Sequence, residues 1–128
     1  MAIRVVRLGS PRTAGEGLRL GTVRRPPRGV PKGEHASRDF YDVWLPDLAP
    51  SEALVKQALA APDTRVWRAF VMRYRAEMRR PPADRLLALL AALSRATALS
   101  VGCYCAEEER YHRSVLRELL AEHGADVV

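Results

Sequence analysis

Several features that would assign this sequence to a class of protein are scarce or missing. It has two cysteines in 128 residues, too few for the disulfide framework of a small secreted domain. No apolar run reaches the roughly 20 residues that a membrane-spanning helix needs, and the first residues lack the apolar stretch of a secretory signal. The sequence therefore predicts a cytoplasmic domain without a membrane span.

The motifs of the best-understood nucleotide, metalloprotease and hydrolase sites are missing as well. A zinc site is not expected, because Cys103, Cys105 and His112 are too few ligands for a structural zinc ion and no second Cys/His pair exists. No metal and no cofactor are expected. The sequence leaves open whether the chain is an enzyme and which oligomeric state it has.

What is present fits one α/β domain over residues 1–128, since this length is typical of a single domain. The patterns predict strands at 3–8, 18–23 and 40–45, helices at 51–60, from 63 to the Pro81-Pro82 pair and at 84–95, an uncharged strand at 97–105, and a helix at 108–123. Residues 125–128 read equally well as a last strand or a tail. An uncharged strand between helices is typical of a central parallel strand. We therefore expect a three-layer α/β fold with a mostly parallel sheet of about four strands flanked by helices.

Positive charge is concentrated near the N-terminus. The side chains of residues 1–38 have a net charge of +7, whereas those of the remaining ninety residues have a net charge of −1, which gives +6 for the whole sequence. Within the proline-rich loop 24–33, which we call the basic loop, Arg24, Arg28 and Lys32 are candidates for holding a phosphate or another anion. One alternative is contact with a nucleic-acid backbone. Another is a solvated surface loop whose arginines reflect a coding bias.

A second group of candidates follows the uncharged strand. Ligands of parallel sheets bind beyond the carboxyl ends of the strands, which selects Cys105, Glu107, His112 and Arg113. Arg113 would bind an anion, His112 or Glu107 would act as acid or base, and Cys105 could supply a thiolate. The alternative is that the cysteines belong to the core and the glutamates only stabilise a helix N-terminus.

Motifs along most of the chain resemble those of a known family. They are Arg28-Gly29-Val30-Pro31-Lys32, Trp44-Leu45-Pro46-Asp47-Leu48-Ala49-Pro50-Ser51, Arg73-Tyr74-Arg75-Ala76-Glu77, Cys103-Tyr104-Cys105-Ala106-Glu107 and His112-Arg113-Ser114. Together they resemble domain of unknown function 488, and within it the YeaO-like branch. The resemblance implies a compact three-layer α/β domain of a bacterial cytoplasmic protein, with no established reaction. YeaO-like members carry an aspartate and a tryptophan where this sequence has Val23 and Pro26, which weakens any carboxylate-dependent mechanism on that loop.

The leading hypothesis joins the two groups of candidates. Arg24, Arg28 and Lys32 would close over a site whose floor contains Cys105, Glu107, His112 and Arg113, and the site would bind or act on a phosphorylated or other anionic small ligand. One alternative is a nucleic-acid-associated protein that uses the basic N-terminal segment. The other is a non-catalytic interaction domain in which the helix with Trp67 and Tyr74 docks a partner or a second copy. The sequence leaves open whether the two groups meet in space.

Overall fold

A computed structural model of the chain describes residues 2–60, 63–104 and 112–128. The strands are β1 (Ile3–Arg7), β2 (Leu18–Gly21), β3 (Val43–Trp44) and β4 (Leu99–Cys103), and the α-helices are α1 (Glu52–Ala60), α2 (Thr64–Met78), α3 (Ala83–Leu93) and α4 (His112–Glu122). Short 3-10 helices lie at Lys32–Glu34 and Pro46–Leu48. This order of elements is the predicted one. The predicted start of the last helix, before residue 112, lies outside the described residues.

The four strands form one parallel sheet in the order β1-β4-β2-β3. All five residues of β4 are buried between its two neighbours, as its uncharged sequence predicts. Gly102 is needed there, because a Cβ atom would lie 2.4 Å from the carbonyl oxygen of Val6. Since the strands are parallel, the segments that follow Arg7, Gly21, Trp44 and Cys103 all leave from the same side of the sheet, which we call the carboxyl edge.

One face of the sheet packs against the helices. Ile3, Leu20, Leu99 and Val101 share an apolar cluster with buried side chains from all four α-helices. In α2 the apolar residues recur every three or four positions, and Phe70, Tyr74 and Met78 are buried. The helix begins where predicted, since the Asp63 side chain accepts a hydrogen bond from the backbone N–H of Val66.

The other face is covered by connecting segments of the chain. Arg19 and Ser100 point to this side and are fully buried. The Tyr41 ring lies directly on Gly21, where a Cβ atom would be 2.3 Å from its Cδ2. Helices, sheet and connecting segments thus form the layers of an α/β fold, which confirms the predicted class. Among the described helices, none is both long and apolar enough to cross a membrane.

The C-terminal residues touch the outer side of β1. Val127 forms an isolated parallel bridge with Ile3. The Ile3 N–H donates to the Asp126 carbonyl at 2.7 Å, and the Val128 N–H donates to the Ile3 carbonyl at 3.0 Å. Of the two interpretations that the sequence allows for residues 125–128, the structure has a single bridge rather than a strand.

Candidate functional site

His112 connects the start of the described part of α4 to the end of β2. Its Nε2 atom lies 2.7 Å from the carbonyl oxygen of Thr22. A carbonyl can only accept a hydrogen bond, so Nε2 carries the proton and Nδ1 is left as an acceptor in the neutral ring. The ring also meets the Tyr74 ring edge-on, with 5.8 Å between centroids.

The surroundings of His112 keep its imidazole neutral. Burial lowers the pKa of His112 to about 4, although the bond to Thr22 works in the opposite direction, and the nearby Arg113 charge lowers it further. At neutral pH the side chain is therefore a hydrogen-bond donor through Nε2 and an acceptor through Nδ1, and it carries no charge.

The first residues after β2 are held firmly at the carboxyl edge. The Arg24 side chain donates to the carbonyl oxygens of Pro50 and Ala49, both at 3.0 Å. The Tyr104 hydroxyl, which follows β4, donates to the Arg25 carbonyl at 2.8 Å. Together with the His112 contact, these bonds attach the start of the basic loop to the segment before α1, to the residue after β4 and to α4.

The remainder of the basic loop presents its charges to solvent. Arg28 and Lys32 are exposed, and within the described part of the chain neither side chain makes a hydrogen bond or an ion pair. The loop is fastened again at its far end, where His35 Nε2 lies 3.2 Å from the Val30 carbonyl. Arg28 and Lys32 are therefore exposed cations on a loop that is anchored at both ends.

The other predicted site residues divide into three groups. His112 contacts Thr22, two residues before the basic loop, and the Arg24 side chain donates two hydrogen bonds that anchor that loop. Arg113 is buried, with 4% of its surface exposed. Cys105 and Glu107 lie outside the described residues. Within residues 2–60, 63–104 and 112–128, no three His, Cys, Asp or Glu side chains are grouped closely enough to hold a metal ion.

Sequence reasoning missed a buried charge cluster on the sheet face opposite the helices. Arg19 donates to both carboxylate oxygens of Glu16 at 2.8 Å, and its remaining bonds go to the Ser10 and Asp39 carbonyls at 2.9 and 2.7 Å. Ser100 Oγ donates to Glu16 Oε2 at 2.9 Å. The hydrogen bonds from Arg19 lower the pKa of Glu16 to about 2, against the effect of burial, with further help from Ser100.

A second arginine of the N-terminal segment is also used in folding. Arg12 donates to both carboxylate oxygens of Asp42, at 2.8 and 3.1 Å, and to Asp39 at 3.3 Å. Asp42 in turn accepts the Arg19 backbone N–H at 2.9 Å. Part of the N-terminal positive charge therefore holds the connecting segments on the sheet and is not displayed to a ligand. The available signal was strand alternation, which puts Arg19 on the opposite face from Leu18 and Leu20.

The fold and this edge define a small α/β domain with an all-parallel sheet whose candidate site lies where the strands end. A family model described as the active DUF488-N3 subclade, DUF488-N3a, matches residues 3–124. The chain therefore belongs to the DUF488 family, as its motifs indicate, and this match is compatible with the YeaO-like branch. Searches of the curated proteins and of the solved structures find no match.

Proposed function

We propose that the carboxyl edge binds a small phosphorylated or otherwise anionic ligand between the basic loop and the start of α4. The observation that carries the proposal is the hydrogen bond from His112 to Thr22. It holds Thr22, two residues before the basic loop, against His112, so the loop begins beside the second segment that the sequence selected. Arg28 and Lys32 would supply charge from the loop, and Arg113 would add to the positive potential from the next residue after His112.

The arrangement favours binding of an anion for two physical reasons. The loop is anchored at Arg24 and at His35, so Arg28 and Lys32 can bind a ligand with little loss of backbone entropy. A neutral His112 with an acceptor at Nδ1 would suit a ligand that carries a hydroxyl or amide donor beside its anionic group. No catalytic step is assigned, because Cys105 and Glu107 lie outside the described residues.

The experiment is a melting-temperature screen with phosphate, pyrophosphate and nucleotides at low and moderate salt. A ligand at a hundred times its Kd adds about 2.7 kcal/mol, which raises the Tm of a domain of this size by roughly 10 °C. Arg28→Ala and Lys32→Ala should each weaken binding by about tenfold, since each removes a charge-assisted contact. Both residues are exposed, so the variants should fold.

Arg65→Ala is the matched control. Arg65 is exposed in the first turn of α2, roughly 13 Å along that helix from Tyr74, whose ring meets His112. Its removal changes the net charge equally. Equal losses in all three variants would mean that the anion responds to net charge alone. A response only to an oligonucleotide, with a steep salt dependence, would replace the proposal by nucleic-acid binding.

A further inference from the structure

The outer edge of β1 has backbone groups that no strand covers in the described part of the chain. β1 is the terminal strand of the sheet, and its even-numbered residues face β4, as the 2.7 Å bond from the Leu8 N–H to the Cys103 carbonyl shows. Ladder bonds alternate along a strand, so the backbone groups of Val5 and Arg7 face outward. Val127 and its neighbours pair only with Ile3, and the Arg7 carbonyl accepts from the Ser10 N–H at 3.1 Å and from its hydroxyl at 2.5 Å. Within the described part of the chain, the groups left for an added strand are the Val5 N–H and carbonyl and the Arg7 N–H.

A cleft of about 300 Å³ lies beside this edge. Among the residues that line it are Arg4, Arg7, Ser10, Thr13 and Val128. Its volume is at the lower end of the range for ligand sites and is large enough for one or two side chains. The backbone edge and the cleft therefore offer ladder bonds and a side-chain pocket next to each other.

The charge of the cleft is positive. Arg4 donates to Thr13 Oγ1 at 3.4 Å and Arg7 donates to the Tyr104 carbonyl at 3.3 Å, and each guanidinium has further N–H donors. Glu16 also lines the cleft, but its carboxylate is neutralised by Arg19 at 2.8 Å. An occupant of this cleft should therefore carry negative charge.

We propose that the outer edge of β1 binds an extended acidic peptide segment of a partner protein. The peptide adds to the sheet as a short parallel strand that pairs with the Val5 N–H and carbonyl and with the Arg7 N–H, in the orientation that Val127 already adopts beside Ile3. Alternate side chains of an added strand point to the same face, so a glutamate or aspartate enters the cleft beside Arg4. A second copy of the chain fits less well, because each copy carries a net charge of +6 and the same arginines at this edge.

The test uses the full chain and the probe acetyl-Val-Glu-Val-Glu-Val-amide, followed by the amide NMR signals of Val5 and Arg7 at physiological salt. We expect saturable shifts of both signals, slower hydrogen exchange at Val5, and at least tenfold weaker binding of the peptide with lysine in place of glutamate. Arg4→Ala should weaken binding by about tenfold, whereas Arg65→Ala should change the affinity by less than twofold.

A second probe separates strand addition from charge attraction alone. The same peptide, N-methylated at the amide that would donate to the Val5 carbonyl, keeps its charge and loses that ladder bond, so its affinity should fall at least tenfold. Equal binding of the methylated and parent peptides would overturn the proposal, as would unchanged affinity in Arg4→Ala or shifts that do not saturate. A concentration-dependent dimer that competes with the peptide would assign the edge to a second copy and would overturn it as well.

Discussion

Replacing Glu16 by Gln should cost about 3 kcal/mol of folding free energy at pH 7. The substitution keeps the shape of the side chain but leaves the Arg19 charge, which is fully buried, without its carboxylate. The pKa of Glu16 falls from the ordinary 4.5 to about 2 on folding. At about 1.4 kcal/mol for each tenfold change in proton affinity, this difference corresponds to roughly 3 kcal/mol. Removal of one partner from a buried ion pair costs about the same amount.

The sign of the pH dependence follows from the lowered pKa. The contribution of Glu16 is fully present above pH 4.5, the pKa of an unperturbed glutamate, and is lost as the pH falls through about 2. The difference in unfolding free energy between the wild-type protein and Glu16→Gln should therefore shrink steadily between pH 4.5 and pH 2.

Urea unfolding followed by circular dichroism at pH 7, 4.5 and 3 measures this difference. The matched control is Glu52→Gln, which removes an ion pair with Arg25 whose side chains are 52% and 71% exposed; it should change stability by less than about 1 kcal/mol. If Glu16→Gln were as stable as the control at pH 7, the buried pair would not stabilise the sheet face as argued.

Two further predictions concern the sheet and its carboxyl edge. Gly102→Ala should destabilise the protein by about 2 kcal/mol or more in the same urea assay, since the new Cβ would lie 2.4 Å from a backbone oxygen of β1. The control is Gly33→Ala, because nothing lies within 4 Å of a Cβ atom at that position. Equal stability of the two variants would contradict the close packing at Gly102. The His112 ring signals in NMR should not titrate between pH 8 and pH 5.5, because burial holds the pKa of His112 at about 4. Since the pKa in the folded protein lies below the ordinary 6.5, the free energy of unfolding should fall as the pH drops from 6.5 towards 4. A titration midpoint near 6.5 would contradict this, because it would show that the ring is solvated.

The sequence was sufficient to predict most of the fold because its periodicities are strong. The uncharged sequence of β4 is typical of a buried central strand. The apolar residues of α2, three or four positions apart, are typical of a helix with one buried face. The sequence left open whether the two groups of candidates meet; the parallel strands start the basic loop at the edge where His112 contacts Thr22. The strands themselves are shorter than predicted, and β3 has two residues in place of the predicted 40–45. Phe40 and Tyr41 do not pair with β2 but pack at the carboxyl edge, in a small apolar cluster with Leu8, Val23 and Cys103.

The buried charge cluster could not be predicted in the same way. An arginine and a glutamate three residues apart are common on solvated surfaces, and only tertiary structure puts Ser100 within 2.9 Å of that carboxylate. For the same reason, the charge balance of residues 1–38 did not reveal that Arg12, Arg19 and Arg24 bind carboxylates and carbonyl groups of the chain itself. The composition gives the number of charged side chains, but only the long-range contacts show which of these side chains are exposed to solvent.

The proposed anion site is tested most directly by a pyrophosphate titration followed residue by residue with NMR. We expect saturable shifts confined to Thr22–Lys32, Tyr104 and His112–Arg113, with much weaker binding in Arg28→Ala and unchanged binding in Arg65→Ala. Shifts that are spread over arginines of the whole surface without saturation, or that are centred on another part of the chain, would contradict it.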